Sequence, residues 1–313
     1  MIPLLLQADA APFPFAGEWA ALAGAFVWGT ASVMYARSLR QGDPLEAVWF
    51  KNTISAIALG LLAMLLGSSL GGGLPAEGEG KWLLLSGLVG MCLGDWFYFV
   101  AIAHIGIGRT VIITVSVPAL TALLAWPIHD QELAIGQWIG IGLVVGGGML
   151  AESRRFKKGS ADTLRKTDSL GVLMAIAAVV CWTLGNLVIH DGLHGTGPVT
   201  GGALRLAAGS AGFALWFLFR GQIVPRLKTL VARQSWRHYG LPTFLGTVIG
   251  MGLYVGAFKW SKQGVAASLS SAVPLFAIPL SVWMLGERPG WRGWSGALVV
   301  LLGVAFVGQM LPI

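Results

Sequence analysis

Long apolar blocks separated by short polar connections set the rhythm of this chain. A membrane-spanning helix needs about 20 mostly apolar residues. Ten stretches meet that requirement: 18–36, 44–67, 82–104, 108–127, 134–152, 169–190, 198–219, 239–259, 264–285 and 291–311. Three connections are longer than the rest, at 68–81, 153–168 and 220–238. The middle one, SRRFKKGSADTLRKTD, is rich in Lys, Arg, Ser and Asp, and it leaves five segments on each side. The expected fold is therefore an all-α membrane protein of ten transmembrane helices. A first five-helix repeat covers 1–152, a basic linker 153–168 and a second five-helix repeat 169–313.

The two halves echo each other. In the stretch Leu93–Trp126, the residues Gly94, Tyr98, Ala101, Gly108 and Pro118 reappear 156 positions later as Gly250, Tyr254, Ala257, Gly264 and Pro274. At the same offset Trp138, Gly140 and Gly147 match Trp294, Gly296 and Gly303. At an offset of 154, Trp28 matches Trp182, Pro44 matches Pro198, and Lys51 falls on Arg205. The order of these matches along both halves is what marks a duplication. Because five is odd, the second half must enter the membrane the opposite way round, and inverted repeats suit alternating access to a central site.

Composition agrees with the pattern. The chain is 55% hydrophobic and 11% charged with a mean hydropathy of +0.73, against about 25% charged residues in a soluble domain. It is expected to be an integral protein of the cell membrane. The net charge of +7 then reads as loop charge that sets orientation, not as a nucleic-acid footprint. Cations concentrate in the odd-numbered connections, and the even ones hold only Lys81, Lys259 and Lys262. By the positive-inside rule the odd connections are cytoplasmic and both termini outside. Cys92 and Cys181 lie far apart within apolar segments, as buried inert thiols would, with no disulfide framework or metal cluster. The N-terminus has no cation before its short apolar run and does not read as a signal peptide.

Ten segments in two halves, a cation early in segments two and seven, and a Gly…Pro…Trp-x-Gly pattern closing each half resemble the EamA-type members of the drug/metabolite transporter superfamily. The second half carries the resemblance best: SAVPLFAIPLSVWMLGERPGWRGWSGALVVLLGV (Ser271–Val304) is similar to the family's Pro, Leu-Gly-Glu and Trp-x-Gly run. The first half departs from it, with His129-Asp130-Gln131-Glu132 in place of Leu-Gly-Glu and Lys51 where an arginine is usual. The resemblance implies export or exchange of small metabolites such as amino acids, with both termini cytoplasmic. That orientation is the opposite of the charge count, so the two readings of topology stand side by side.

Ionisable groups inside a span cost several kcal/mol unless paired or facing a wet cavity, and Lys51, Asp95 and Arg205 are the three that lie well inside. Lys51 sits about 10 Å in from Pro44, and Asp95 about 13 Å in from His104 on the same side. The two share a depth and can pair. Asp95 corresponds to Met251 in the second half, which leaves Arg205 without a carboxylate in its own repeat. Two readings follow. In one, Lys51–Asp95 is a structural pair and Arg205 snorkels or bonds to backbone carbonyls. In the other, Arg205 binds an anionic group of the substrate while Asp95 titrates or senses occupancy. Burial and an adjacent lysine act on a carboxylate in opposite directions, so the sequence leaves proton coupling open.

Further candidates surround these charges. Trp28, Trp182, Tyr98 and Tyr254 form two repeat-related pairs that either stack a substrate or pack as anchors. Tyr98 is one turn from Asp95, on the same face. Asn186, four residues after Trp182, and Ser270 and Ser271 are weaker candidates. Pro118 and Pro274 free backbone carbonyls within their spans, either kinking a helix or lining a cavity. Glycines spaced four apart, Gly136/Gly140, Gly142/Gly146, Gly246/Gly250 and Gly252/Gly256, suit close helix packing inside a monomer rather than dimerisation. His104 and His190 stand near helix ends as isolated interfacial residues, not metal ligands. No cofactor is implied. The function expected is a secondary transporter of a small-molecule substrate, in contact with the lipid bilayer. An intramembrane enzyme acting on a lipid-linked substrate is the alternative, but it would need clustered carboxylates or a nucleophile–base pair.

Overall fold

A computed structural model describes residues 11–38, 44–67, 73–75, 78–152, 168–286 and 290–308. The described chain is helical: α1 Ala16–Ser38, α2 Pro44–Leu66, α3 Gly80–Ile105, α4 Ile107–Thr114, α5 Val117–His129, α6 Ile135–Glu152, α7 Ser169–Asp191, α8 Pro198–Phe219, α9 Ile223–Val231, α10 Arg233–Trp260, α11 Gln263–Ser270, α12 Val273–Leu285 and α13 Trp291–Val307. With α4–α5 and α11–α12 each counted as one broken span, eight spans are long and apolar enough to cross a membrane. The 23-residue α1 and the shorter apolar α13 bring the described spans to the ten expected. Apart from Asp168, the basic connection 153–168 lies outside the described residues, as does Glu287 of the Leu-Gly-Glu motif.

Packing pairs each helix with a partner from the other half. In the first half, α1 packs against α10 and α11–α12; in the second, α7 packs against α3 and α4–α5. α2 lies along α8, and α6 along α13. These are the contacts an approximate two-fold between the repeats generates. The α6–α13 crossing shows why glycines are needed there. A Cβ on Gly140 would stand 2.7 Å from Gly303 O, and one on Gly147 would stand 2.7 Å from Val300 N. The same contacts recur with the repeats exchanged, since a Cβ on Gly296 would stand 2.7 Å from Gly147 O and one on Gly303 2.8 Å from Gly140 O. Backbones therefore meet directly at small residues, as membrane helices do. Gly142 and Gly146 instead face open space, which corrects the expected use of that pair. The packing period is seven, between Gly140 and Gly147, and not four.

Two irregularities are also repeated. Within α3 the turns Gly87–Gly94 are wide, with π-type bonding, and the corresponding turns of α10, Phe244–Ile249, are wide as well. The fourth and ninth spans are broken at Val115–Ser116 and Ser271–Ala272, with Pro118 and Pro274 seated in the first turn of the helix that resumes. A proline there costs no hydrogen bond, because the first turn lacks N–H partners in any case. Where the second half ends α12 on Gly286 at φ 64°, the first half ends α5 on Asp130 at φ 51°. The departure from Leu-Gly-Glu thus keeps the left-handed turn with a residue type that tolerates it.

The eighth span differs from expectation. It starts at Arg233 rather than near residue 239, and the stretch 220–238, read as a polar connection, holds the separate helix α9. Nine residues are too few to register as a span, so a length criterion passes over them.

Candidate functional site

The halves enclose a cavity of about 400 Å³ at the middle of the bundle, a volume that suits a small-molecule ligand. Both helix breaks reach its wall: Thr114 and Val117 from the fourth span, Ser270 and Ser271 from the ninth. The wide turns bring Gly90 and Met91 to one side, Gly246 and Thr247 to the other.

Aromatic side chains frame the cavity in two copies. The Trp182 indole lies over Gly94, whose missing Cβ would otherwise stand 2.6 Å from its Cδ1. Trp28 lies over Gly250 in the same way, with a Cβ position 2.5 Å from its Nε1. Tyr98 stacks at 5.1 Å on Trp182, and Tyr254 at 5.0 Å on Trp28, tilted by 46° and 42°. Each tryptophan thus comes from one repeat and rests on a Gly–Tyr pair of the other.

Charge breaks this symmetry. Lys51 Nζ stands 3.5 Å from Asp95 Oδ2 and donates to Asn52 Oδ1 at 3.0 Å. The other carboxylate oxygen, Asp95 Oδ1, accepts from Trp182 Nε1 at 3.1 Å. Asn52 in turn donates to Met91 O at 3.3 Å, inside the wide turn. Asp95 therefore has both oxygens engaged, and its lysine is tied to the wall.

Arg205 has no such partner. Its side chain is 1% exposed, and its polar neighbour is Met251 Sδ, 3.9 Å from Nη1. The guanidinium lies 5.5 Å from the Tyr254 ring centroid, and Nε has no hydrogen-bond partner. Among the described residues no carboxylate lies within 4 Å of it, so neither snorkelling nor carbonyl bonding describes its surroundings. Tyr254 donates to Asn186 Oδ1 at 2.5 Å, and Asn186 donates to Thr121 at 3.4 Å. With Asp95 ionised, the wall carries two cations and one anion, a net positive charge.

Of the residues singled out by sequence, Asp95, Lys51, Arg205, Tyr254, Trp28, Trp182 and Asn186 line the cavity. Tyr98 stacks on Trp182 outside the lining, and Pro118 and Pro274 lie outside it as well, in the first turns of the helices that resume after the breaks. Sequence reading passed over Tyr35 and Thr247, which also line it. Tyr35 Oη and Thr243 Oγ1 share a 2.7 Å hydrogen bond. A lone Tyr or Thr in an apolar span carries too little cost to attract notice, so no signal marked them.

The histidines are not isolated. His104 is 2.6 Å from Asp168, the residue that caps α7 through Leu170 N, and this contact holds the Asp168 carboxyl below the usual range. His190 packs 4.8 Å from His129, which contacts Asp191 at 3.3 Å. No group of three or more His, Cys, Asp or Glu suited to a metal is found among the described residues. Both cysteines are free, Cys92 buried and Cys181 half-buried.

Comparison with known proteins agrees with the duplicated architecture. The EamA-like transporter family matches twice, over residues 15–151 and 169–309. The uncharacterized transporter YwfM of Bacillus subtilis is 26% identical over 297 residues, covering 91% of each chain. The uncharacterized transporter sll0355 of Synechocystis is 26% identical over 308 residues, covering 91% of this chain and 87% of its own. A solved crystal structure superposes with a TM-score of 0.73 at 16% identity, over 94% of this chain and 96% of the other, a likeness of fold. With each half matched separately and relatives of similar length named as transporters, this chain belongs to the EamA-like transporter family, within the drug/metabolite transporter superfamily.

Proposed function

We propose that the protein is a secondary transporter of the cell membrane that carries a small metabolite with an anionic group, an amino acid or related compound, in efflux or exchange. The two bodies that move each take helices from both repeats, α1 with α10–α12 and α7 with α3–α5, and they expose the cavity to each side in turn. The observation that supports this reading is Arg205: a buried guanidinium in the wall of a central cavity, without a carboxylate partner among the described residues. An unpaired charge there is costly, and a substrate carboxylate or phosphate would offset that cost while the site is loaded. A planar fork with several donors suits such a group. Asp95, held by Lys51 and Trp182, is the candidate for proton coupling.

Flux into proteoliposomes, screened over amino acids and related organic anions with and without a proton gradient, tests the reading. A charged hydrogen bond contributes about 1.5–3 kcal/mol, so Arg205→Gln should weaken substrate binding about tenfold to a hundredfold, and Arg205→Lys by less. Substrate-independent leakage across the whole panel, or an Arg205→Gln variant with unchanged KM, would contradict it.

A further inference from the structure

Helix α9 is an addition that the duplicated architecture does not require. The repeat-equivalent connection, 68–81, is glycine-rich and carries Glu77, Glu79 and Lys81, whereas 220–238 carries Arg220, Arg226, Lys228, Arg233 and Arg237 with no acidic residue. The helix is held firmly. Arg226 contacts Glu46 of α2 at 3.6 Å and lies 4.9 Å from the Phe217 ring centroid, while Ile223 and Leu230 pack into the apolar clusters beneath. Ser235 donates to the same Glu46 at 3.4 Å, and Trp236 Nε1 donates to Leu230 O at 2.8 Å, fastening the start of α10 onto the end of α9.

The outward side of this platform has two parts. One is apolar: Val224, Leu227 and Val231 are 59%, 50% and 80% exposed, and they continue into exposed Phe219 and Trp236. The other is cationic. Lys228, Arg233 and Arg237 are exposed and, among the described residues, have no carboxylate within 4 Å. A short amphipathic helix with cations beside its apolar face lies in the plane of the membrane interface, with its apolar side among acyl chains. Its position between the end of α8 and the start of α10 puts it at that depth.

We infer that α9 and the first turn of α10 form a binding surface for the headgroups of anionic phospholipids. Lys228, Arg233 and Arg237 would meet the phosphate charge, and Val224, Leu227 and Val231 would lie against the chains of the same lipids. Clustered cations next to a span attract acidic lipids by charge complementarity. Continuity with the lipid-facing surface of α8 and α10 favours a lipid over a soluble partner.

The test is lipid retention by the purified full-length protein, measured by native mass spectrometry after exposure to vesicles of phosphatidylcholine mixed equally with phosphatidylglycerol. The wild type should retain several-fold more phosphatidylglycerol, and raised salt should shrink the excess. Lys228→Gln with Arg233→Gln and Arg237→Gln should abolish the preference, whereas arginine at 228 with lysine at 233 and 237 should preserve it. Unchanged melting in neutral detergent would show that the glutamine variant is folded. Three results would overturn the inference: equal retention of both lipids by the wild type, full preference in the glutamine variant, or competition by soluble glycerol phosphate as effective as by the lipid. A dimer that dissociates on the glutamine substitutions would assign the surface to a second copy of the chain instead.

Discussion

The position shared by Asp95 and Met251 is where two halves of like architecture acquire different chemistry. Each follows a wide turn, and each neighbours a glycine roofed by a tryptophan, yet one is a carboxylate facing Lys51 and the other a thioether facing Arg205. Adding a carboxylate at position 251 therefore tests the cavity's charge directly. Met251→Asp should give Arg205 an ion-pair partner, leave the melting temperature unchanged or raised, and weaken an anionic substrate by tenfold or more, since a charged hydrogen bond contributes about 1.5–3 kcal/mol. Asp95→Asn acts on the other half. If Asp95 is the coupling group, the pH dependence of flux should flatten in the variant, and a fully retained pH profile would remove it from that role. Much at this scale was legible in advance: counting residues from Pro44 and His104 placed Lys51 and Asp95 at one depth, and they meet. Tyr98 shares that face but lies outside the cavity lining and stacks on Trp182 of the other repeat, a contact that the one-turn rule, which fixes only a helix face, does not show.

Small residues, not polarity, decide how the spans fit together. The α6–α13 crossing brings backbone to backbone at Gly140, Gly147, Gly296 and Gly303, with no room for a methyl group. Gly147→Ala should cost about 1–3 kcal/mol through overpacking, read as a lower melting temperature in detergent. Gly142→Ala, where nothing lies within 4 Å, should be neutral or stabilise by up to about 1 kcal/mol through helix propensity. Equal melting shifts for the two would mean that the glycine seam is not what holds these spans. The spans themselves were readable because a bilayer demands some 20 apolar residues in a row. The wide turns in α3 and α10 were not, because they depend on how neighbouring helices crowd the backbone. At Gly87, for instance, a Cβ would collide with the backbone of Arg205. Helix α9 escaped for the opposite reason, being too short to stand out from a connection by length alone.

Under the alternating access proposed above, one face is closed while the other is accessible, and polar contacts gather on the face where α5, α7 and α10 end and α11 begins. Gln263 is their hub: its backbone N–H donates to Gln131 Oε1 at 2.7 Å, its side-chain amide donates to Asn186 O and Leu187 O at 3.2 and 3.1 Å, and its oxygen is 3.1 Å from His129 Nδ1. Lys262 bonds to Glu132 O beside it, and Lys259 reaches Leu193 O and Thr196 O at 3.2 and 2.8 Å. The bonds of Gln263 and Lys262 tie the end of α5 in the first repeat and α7 in the second to the start of α11, and those of Lys259 fasten α10 to the connection after α7. None of this was visible in sequence, because a glutamine at a helix start pairs with residues more than 70 positions away. Gln263→Ala removes three side-chain hydrogen bonds at about 0.5–1.5 kcal/mol each, enough to shift a two-state equilibrium about tenfold or more towards the form open on this face. A cysteine at Ser270, on the cavity wall, reports the shift once Cys92 and Cys181 are replaced by alanine. Labelling by a membrane-impermeant thiol reagent should quicken from this face alone when Gln263→Ala is added, with the face identified by comparing right-side-out and inverted vesicles. Faster labelling from both faces would indicate a loosened bundle rather than a gate, and unchanged labelling would show that Gln263 does not hold this face closed.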